Sequence, residues 1–232
     1  MNSPADPNDQ CVIVFLKVPQ RVPVKTRLSK SLDQEIVVNL YKNFVLDVLG
    51  MLQAGRHTTV IGFYPPQALQ EITSWLGRDH DYLPQQGDDL GKRMENAFDS
   101  IFQKGFRQVL LLGTDFPDLP GSIIDEAFES LHKNDAVIGP AVDGGYYLIG
   151  FNSHSFLPEV FNKIPWGSDT VFQKTITVLG SNRSRIHVLP QWRDIDTYQD
   201  LEFFIKRHAE KGSAASNTAA YLAGIKLHAI KR

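Results

Sequence analysis

One cysteine, Cys11, in 232 residues leaves no disulfide to close within the chain and no thiolate set for a zinc site. An excess of one charge is missing too. The 24 Lys and Arg nearly balance 26 Asp and Glu, so the basic field that general nucleic-acid binding requires is absent. Apolar runs stop at strand length, and no segment reads as a membrane span. The first ten residues have neither a basic region nor an apolar stretch, so a secretory leader is not expected and the cytoplasm is the expected compartment. Neither Gly-x4-Gly-Lys-Ser/Thr nor Gly-x-Gly-x-x-Gly follows a strand-like segment, which removes the P-loop and weakens a nicotinamide dehydrogenase. No His-Glu-x-x-His or Gly-x-Ser-x-Gly is present, and no nucleophile is assigned.

What the chain does have is alternation. Val12–Leu16 is a short apolar, β-branched run suited to a buried strand. Ser31 with Gln34 forms a capping-box signature ahead of a helix in which Ile36, Val37, Leu40, Phe44, Val48 and Leu52 recur at helical spacing. Strands are predicted at Thr58–Tyr64, Tyr82–Leu83, Val109–Leu112, Ala136–Ile138, Tyr146–Phe151 and Ile186–Leu189. Helices are predicted at Pro66–Leu76, Leu90–Phe102, Ser122–Leu131, Ser155–Phe161, Asp169–Leu179 and Thr197–His208. The most apolar strand, Val109–Leu112, belongs at the sheet centre. Strands alternating with helices imply βαβ units and a mostly parallel sheet. The simplest organisation is a loose tail over 1–10, a single α/β domain over 11–210, and a linker with an amphipathic helix at 218–230.

In an open parallel sheet, ligands bind beyond the carboxyl ends of the strands, and four segments there stand out. Residues 12–32 carry Lys17, Arg21, Lys25, Arg27 and Lys30 and no acid, a cluster suited either to phosphates or to a solvated basic loop. Asp115, in Gly113-Thr114-Asp115, follows the most apolar strand and is placed to hold a hard divalent cation. The nearby Asp118 reads better as the cap of the next helix. Asp143-Gly144-Gly145-Tyr146 lies between two strands, as a close backbone approach to a ligand or as a tight turn. Asp196, in Asp194-Ile-Asp196-Thr197, is either a second metal ligand or, with Thr197 and Asp200, part of a helix cap. Gly91 and Arg93 begin one helix beside a candidate ribose or sugar position, and Trp166 precedes another.

Taken in order, these stretches resemble the bacterial glycosyltransferase-A-like transferases of the selenodomain-associated transferase 1 type. That family belongs to the nucleotide-diphospho-sugar transferase superfamily. The matching segments are Phe15-Leu-Lys-x-Pro with Val24-Lys-Thr-Arg-Leu28, Leu90-Gly-Lys-Arg-Met94, Leu112-Gly-Thr-Asp-x-Pro-Asp-Leu-Pro120, Gly139-Pro-Ala-x-Asp-Gly-Gly-Tyr-Tyr-Leu-Ile-Gly150, Trp166-Gly-Ser and Asp194-Ile-Asp-Thr-x-x-Asp-Leu201. Together they cover about residues 12–205. The resemblance implies a Rossmann-like three-layer α/β/α sandwich with a mostly parallel central sheet. It implies Mg²⁺ or Mn²⁺ held by Asp115 and Asp196, and a nucleotide at Lys17, Lys25, Thr26, Arg27, Gly91, Arg93 and Thr114. The sugar or acceptor would lie at Asp143, Gly144, Gly145, Tyr146 and Trp166. Three departures mark the chain. No Gly stands near Gln20–Val22, which shifts the phosphate work to Lys25 and Arg27. Phe116 replaces a usual small residue and is a candidate to narrow the metal site or to change the acceptor. Trp166-Gly-Ser stands for the usual Trp-Gly-Thr, a mild change.

The resulting expectation is a metal-dependent transferase with a nucleotide donor and a small-molecule acceptor, with Lys25, Arg27 and Asp115 as catalytic residues. Glycosyl transfer from an NDP-sugar and nucleotidyl transfer from an NTP both fit. The family resemblance leans to the first, and five cations in one loop suit a triphosphate slightly better. The alternative is a non-catalytic nucleotide- or sugar-binding module on the same fold. No nucleic-acid partner is expected, and the oligomeric state is left open.

Overall fold

The computed structural model describes residues 9–211 and 216–225. Seven strands form one sheet: β1 (Gln10–Lys17), β2 (Thr58–Tyr64), β3 (Asp81–Pro84), β4 (Gln108–Gly113), β5 (Ala136–Pro140), β6 (Tyr146–Asn152) and β7 (Ile186–Val188). The spatial order is β3-β2-β1-β4-β6-β5-β7. β6 runs antiparallel to both its neighbours, and the other pairings are parallel. β4 is the middle strand, as its uninterrupted apolar sequence predicts.

β1 shows why the sheet is covered on both faces. Its side chains alternate, and both alternating sets are apolar. Val12, Val14 and Leu16 enter one core with Leu110 and Leu112 of β4. There they meet α1 (Gln34–Leu52), α2 (Leu69–Leu76) and α4 (Gly121–Leu131). Cys11 and Ile13 enter the other core with Val109 and Leu111, against α3 (Leu90–Gln103) and α5 (Val171–Ser181). The result is the expected three-layer sandwich.

A third, smaller core lies outside α1. Leu28, Leu32, Val37, Leu40 and Phe44 meet Ile195, then Leu201 and Phe204 of α6 (Tyr198–Lys211) and Leu222 of α7 (Asn217–Gly224). α1 is therefore buried on two sides. Asp47 on α1 fastens α7, accepting hydrogen bonds from the Ser216 hydroxyl (2.7 Å) and from the backbone N–H groups of Asn217 (2.6 Å) and Thr218 (3.0 Å).

Several expectations change in detail. α1 starts at Gln34 behind Asp33, not behind Ser31. Ser31 instead ends a 3₁₀ turn at Leu28–Lys30, because Leu28 and Leu32 must both be buried before the helix can begin. The helix expected at Ser155–Phe161 shrinks to a 3₁₀ turn at Pro158–Phe161, since Pro158 can donate no hydrogen bond to a preceding turn. Gln10, expected in the tail, begins β1. Residues 1–8 of that tail, and 226–230 of the terminal helix, lie outside the described residues. Among the described residues no helix is long and apolar enough to cross a membrane.

Cys11 is fully buried in β1, and burial pushes its thiol up to about 12. A thiolate is the reactive form. The folded protein is therefore expected to resist a thiol reagent at pH 8 and to consume one equivalent only after denaturation. Rapid labelling of the native chain would show that the sheet does not pack this way.

Candidate active site

The strand order reverses between β1 and β4. β1 connects outward to β2 and β3, whereas β4 leads to the other half of the sheet. Such a reversal leaves a crevice at the carboxyl ends of the two strands. Because β6 is antiparallel, its first residue, Tyr146, arrives at the same edge. A cavity of about 720 Å³ opens there, within the size range of small-molecule sites.

At its centre lies one cation between two acids. The Lys25 Nζ is 2.7 Å from Asp115 Oδ1 and 2.8 Å from Asp196 Oδ1. The lysine side chain is only 3% exposed, whereas Asp115 and Asp196 are 42% and 29% exposed. Burial alone would lower the pKa of this ammonium, but the two carboxylates outweigh it and hold the group above its usual value. Arg27 Nη1 stands 3.5 Å from the second Asp196 oxygen and is 59% exposed. Below, the Phe44 ring lies 5.7 Å from Nζ.

Local structure explains this convergence. Lys25 adopts φ 47°, the left-handed region, so the loop without a glycine makes its left-handed bend at the lysine itself. Asp115 follows β4 directly, and its carbonyl accepts the Ile195 N–H at 3.0 Å. That bond draws the 194–196 segment alongside. Asp196 is then released from capping duty by its neighbours. Asp200 accepts from the Thr197 N–H (2.9 Å) and hydroxyl (2.7 Å), and its own N–H bonds back to that hydroxyl. This reciprocal cap belongs to Thr197 and Asp200, and it leaves Asp196 facing the cavity.

The remaining predicted residues divide. Lys17, Thr26, Arg93, Thr114, Asp143, Tyr146 and Trp166 all line the cavity with the central triad. Arg93 lies 4.2 Å from the Tyr64 ring centre, and Asp89 caps its helix by accepting the Lys92 N–H at 2.8 Å. Gly91, Gly144 and Gly145 are absent from the wall and serve packing. A Cβ on Gly91 would strike the Phe161 carbonyl and the Trp166 ring. Gly144, at φ 89°, lies against the Asp169 carbonyl. The Gly145 N–H donates to Asp143 Oδ1 at 2.9 Å.

Other expectations are corrected. Phe116 does not narrow the site: its ring is buried 5.4 Å from that of Tyr147. Asp118 caps no helix. It accepts the Trp192 indole N–H at 2.8 Å and pairs with Arg207. Of the five loop cations, Arg21 pairs with Glu71 instead and Lys30 is off the cavity wall, which leaves Lys17, Lys25 and Arg27 there.

Two wall residues had no sequence signal. Tyr41 on α1 accepts the Lys17 N–H at 2.7 Å, and its place in a helical apolar stripe marks it only as core. Gln85 is buried, and its amide donates to the carbonyls of Leu16 (3.2 Å) and Gly62 (2.8 Å). Both N–H groups are thereby spent, and the residue lines the cavity.

The acidic residues fit a hard cation in chemical type, since two carboxylate oxygens already converge on one positive group. Mg²⁺ commonly takes one or two carboxylates and leaves its other positions to water and phosphates. Among the described residues no group of three or more His, Cys, Asp or Glu forms a complete metal cage.

Residues 48–168 match the profile of a family described as an uncharacterized protein conserved in bacteria, DUF2064. The chain belongs to this family. The DUF2064 chain is also similar to a candidate nucleotide-diphospho-sugar transferase from Desulfovibrio desulfuricans G20. The identity is 37% and the TM-score 0.89, over 94% of this chain and 95% of that one. Its fold is that of the nucleotide-diphospho-sugar transferase superfamily. More distant structures share the fold alone. One is 4-diphosphocytidyl-2C-methyl-D-erythritol synthase from Anaerococcus prevotii DSM 20548, at 13% identity and TM-score 0.57, over 94% of this chain and all of that one. Another is CMP:2-keto-3-deoxy-manno-octonic acid synthetase complexed with CTP, at 10% identity and TM-score 0.52, over 87% and 99%. Comparison with curated proteins gives no match.

Two consequences are measurable. An alanine at Gly144 would combine a left-handed backbone with a Cβ 2.1 Å from the Asp169 carbonyl oxygen. We expect it to cost about 2–5 kcal/mol in chemical denaturation. Gly167, at φ 86° with open space around it, should lose only about 1 kcal/mol on the same change. Equal losses would contradict the close contact at Gly144.

Asp194 is 7% exposed and has its carboxyl raised to about 6, by burial first and then by Asp143 and Asp196. An acid whose folded pKa lies above its unfolded value weakens the fold as pH rises between the two. Asp194→Asn should therefore gain on the wild type by about 2 kcal/mol between pH 4 and pH 7 in nucleotide-free buffer. A pH-independent difference would show that Asp194 is not held this way.

Proposed function

We propose that the chain is a transferase acting on a nucleotide donor, and that the transferred group is glycosyl. The observation that carries this reading is the meeting of Lys25, Arg27, Asp115 and Asp196 in one cavity at the strand-order reversal. Cations beside paired carboxylates suit a phosphate-bearing ligand taken with a metal. The likeness to the Desulfovibrio protein supports a nucleotide-sugar donor.

The chemistry assigned to the residues is simple. Lys17 and Arg27 bind the donor phosphates. Tyr146 and Trp166, with ring centres 6.3 Å apart, form the wall facing the acceptor. The acceptor oxygen bonds to the anomeric carbon. The bond from that carbon to phosphate breaks, and the nucleoside diphosphate leaves with the electron pair. Asp143 receives the acceptor proton on the oxygen that the Gly145 N–H does not hold. A divalent cation at Asp115 and Asp196 would neutralise the charge growing on the leaving phosphate.

The test is thermal denaturation against a panel of NDP-sugars and NTPs with Mn²⁺, followed by a release assay for nucleoside diphosphate. A donor at about 100 times its Kd should raise Tm by roughly 5–10 °C. Asp115→Asn should lower metal-dependent turnover by about two orders of magnitude or more. Pyrophosphate release from an NTP would replace glycosyl by nucleotidyl transfer. Binding without turnover would favour the non-catalytic module, and no shift with any nucleotide would end the reading.

A further inference from the structure

The lysine at the centre of the cavity is the most enclosed member of its triad. Its Nζ touches both carboxylates at ion-pair distance, while the carboxylates themselves face open space. A lysine is rarely buried unless paired, and here two acids pair with it at once. Its left-handed backbone and the Phe44 ring beneath its ammonium hold it in that position. The ammonium thus stands where two hard oxygens converge, the place a divalent ion between Asp115 and Asp196 would need. Two cations in one such gap repel strongly, and they repel more in a cavity than in bulk water.

We propose that Lys25 is a resident cation: its ammonium fills the divalent-metal position between Asp115 and Asp196, and the free protein excludes metal until that ammonium leaves. The side chain has a flexible four-carbon stem, so it can exchange one anionic partner for another without moving the backbone. Its destination rests on the proposed function: donor phosphates beside Thr26 and Arg27 would take the ammonium and open the two carboxylates. Metal uptake is then conditional on the donor, and by reciprocity metal strengthens donor binding. Lys25 acts here as a positioning residue that decides when the carboxylates are available.

The test is a titration of the free protein with Mn²⁺, read by the electron paramagnetic resonance signal of unbound Mn²⁺, with no nucleotide present. Wild type should leave the signal close to that of buffer, while Lys25→Met should bind Mn²⁺ at least about tenfold more tightly. Adding Asp115→Asn to Lys25→Met should remove the gain. Lys25→Gln is the second variant, keeping stem length and a hydrogen-bond donor should the methionine prevent folding. Wild type binding Mn²⁺ as tightly as either folded variant would overturn the proposal. So would a failure of both folded variants to gain affinity.

A separate arm measures Tm with sodium tripolyphosphate and Mn²⁺, alone and together. Stabilisation of wild type only by the combination, and of Lys25→Met by Mn²⁺ alone, supports the exchange. If Lys25→Met gains Mn²⁺ while neither tripolyphosphate nor any nucleotide moves Tm, the resident cation stands and the nucleotide reading falls.

Discussion

The fold turns on one strand that has no free side. β1 pairs in parallel with β2 on one edge and β4 on the other, and both sets of its alternating side chains are buried. Helices must therefore cover both faces, and the chain must leave β1 in one direction and return beside it from the other. The crevice at the β1–β4 edge follows from that route. The loop after β1 supplies the cations, the loop after β4 supplies Asp115, and the reversed β6 brings Tyr146 to meet them. The location of the site is a property of topology, and its chemistry is a property of what each loop carries there.

Electrostatically, the cavity holds charges of both signs at close range. Asp115, Asp143 and Asp196 share its wall with Lys17, Lys25, Arg27 and Arg93, and Lys25 is held between two of the acids. Beside them Asp194 is buried, and burial first, then Asp143 and Asp196, raises its carboxyl. Such crowding costs stability in the free protein and favours whatever cation or cationic complex relieves it. The DUF2064 chain thus holds an electrostatic cost at the candidate site, set against apolar burial in three cores.

Much of this was legible from residue order alone. Continuous β-branched runs marked the strands, and the uninterrupted apolar stretch at 109–112 marked the central one. Asp115 and Asp196 stood out because each follows a strand. Local readings failed where distant contacts decided the outcome. Ser31 has the spacing of a cap, yet burial of Leu28 and Leu32 moves the helix start beyond it. Asp118 sits ahead of a helix, yet Trp192 and Arg207 claim it. The basic loop looked uniform because a sequence cannot show that Arg21 turns toward Glu71 on α2. Gln85 and Tyr41 were invisible because their roles depend on carbonyls and amides at the ends of other strands. Gly91 and Gly144 each permit a close approach of protein to protein, which residue order alone does not distinguish from approach to a ligand.

α1 carries a consequence of its own. One side packs on the sheet and the other beneath α6 and α7, which leaves a narrow outer strip through Glu35, Leu46 and Gly50 to absorb change. The same helix supplies the Tyr41 hydroxyl that fixes the end of β1, the Phe44 ring under Lys25 and the Asp47 carboxylate that fastens α7. Tolerance to substitution is therefore distributed against intuition. The permissive ground lies on the outer faces of α2 and α5, and the long helix, though it reaches the cavity with few side chains, behaves as the keel of the molecule.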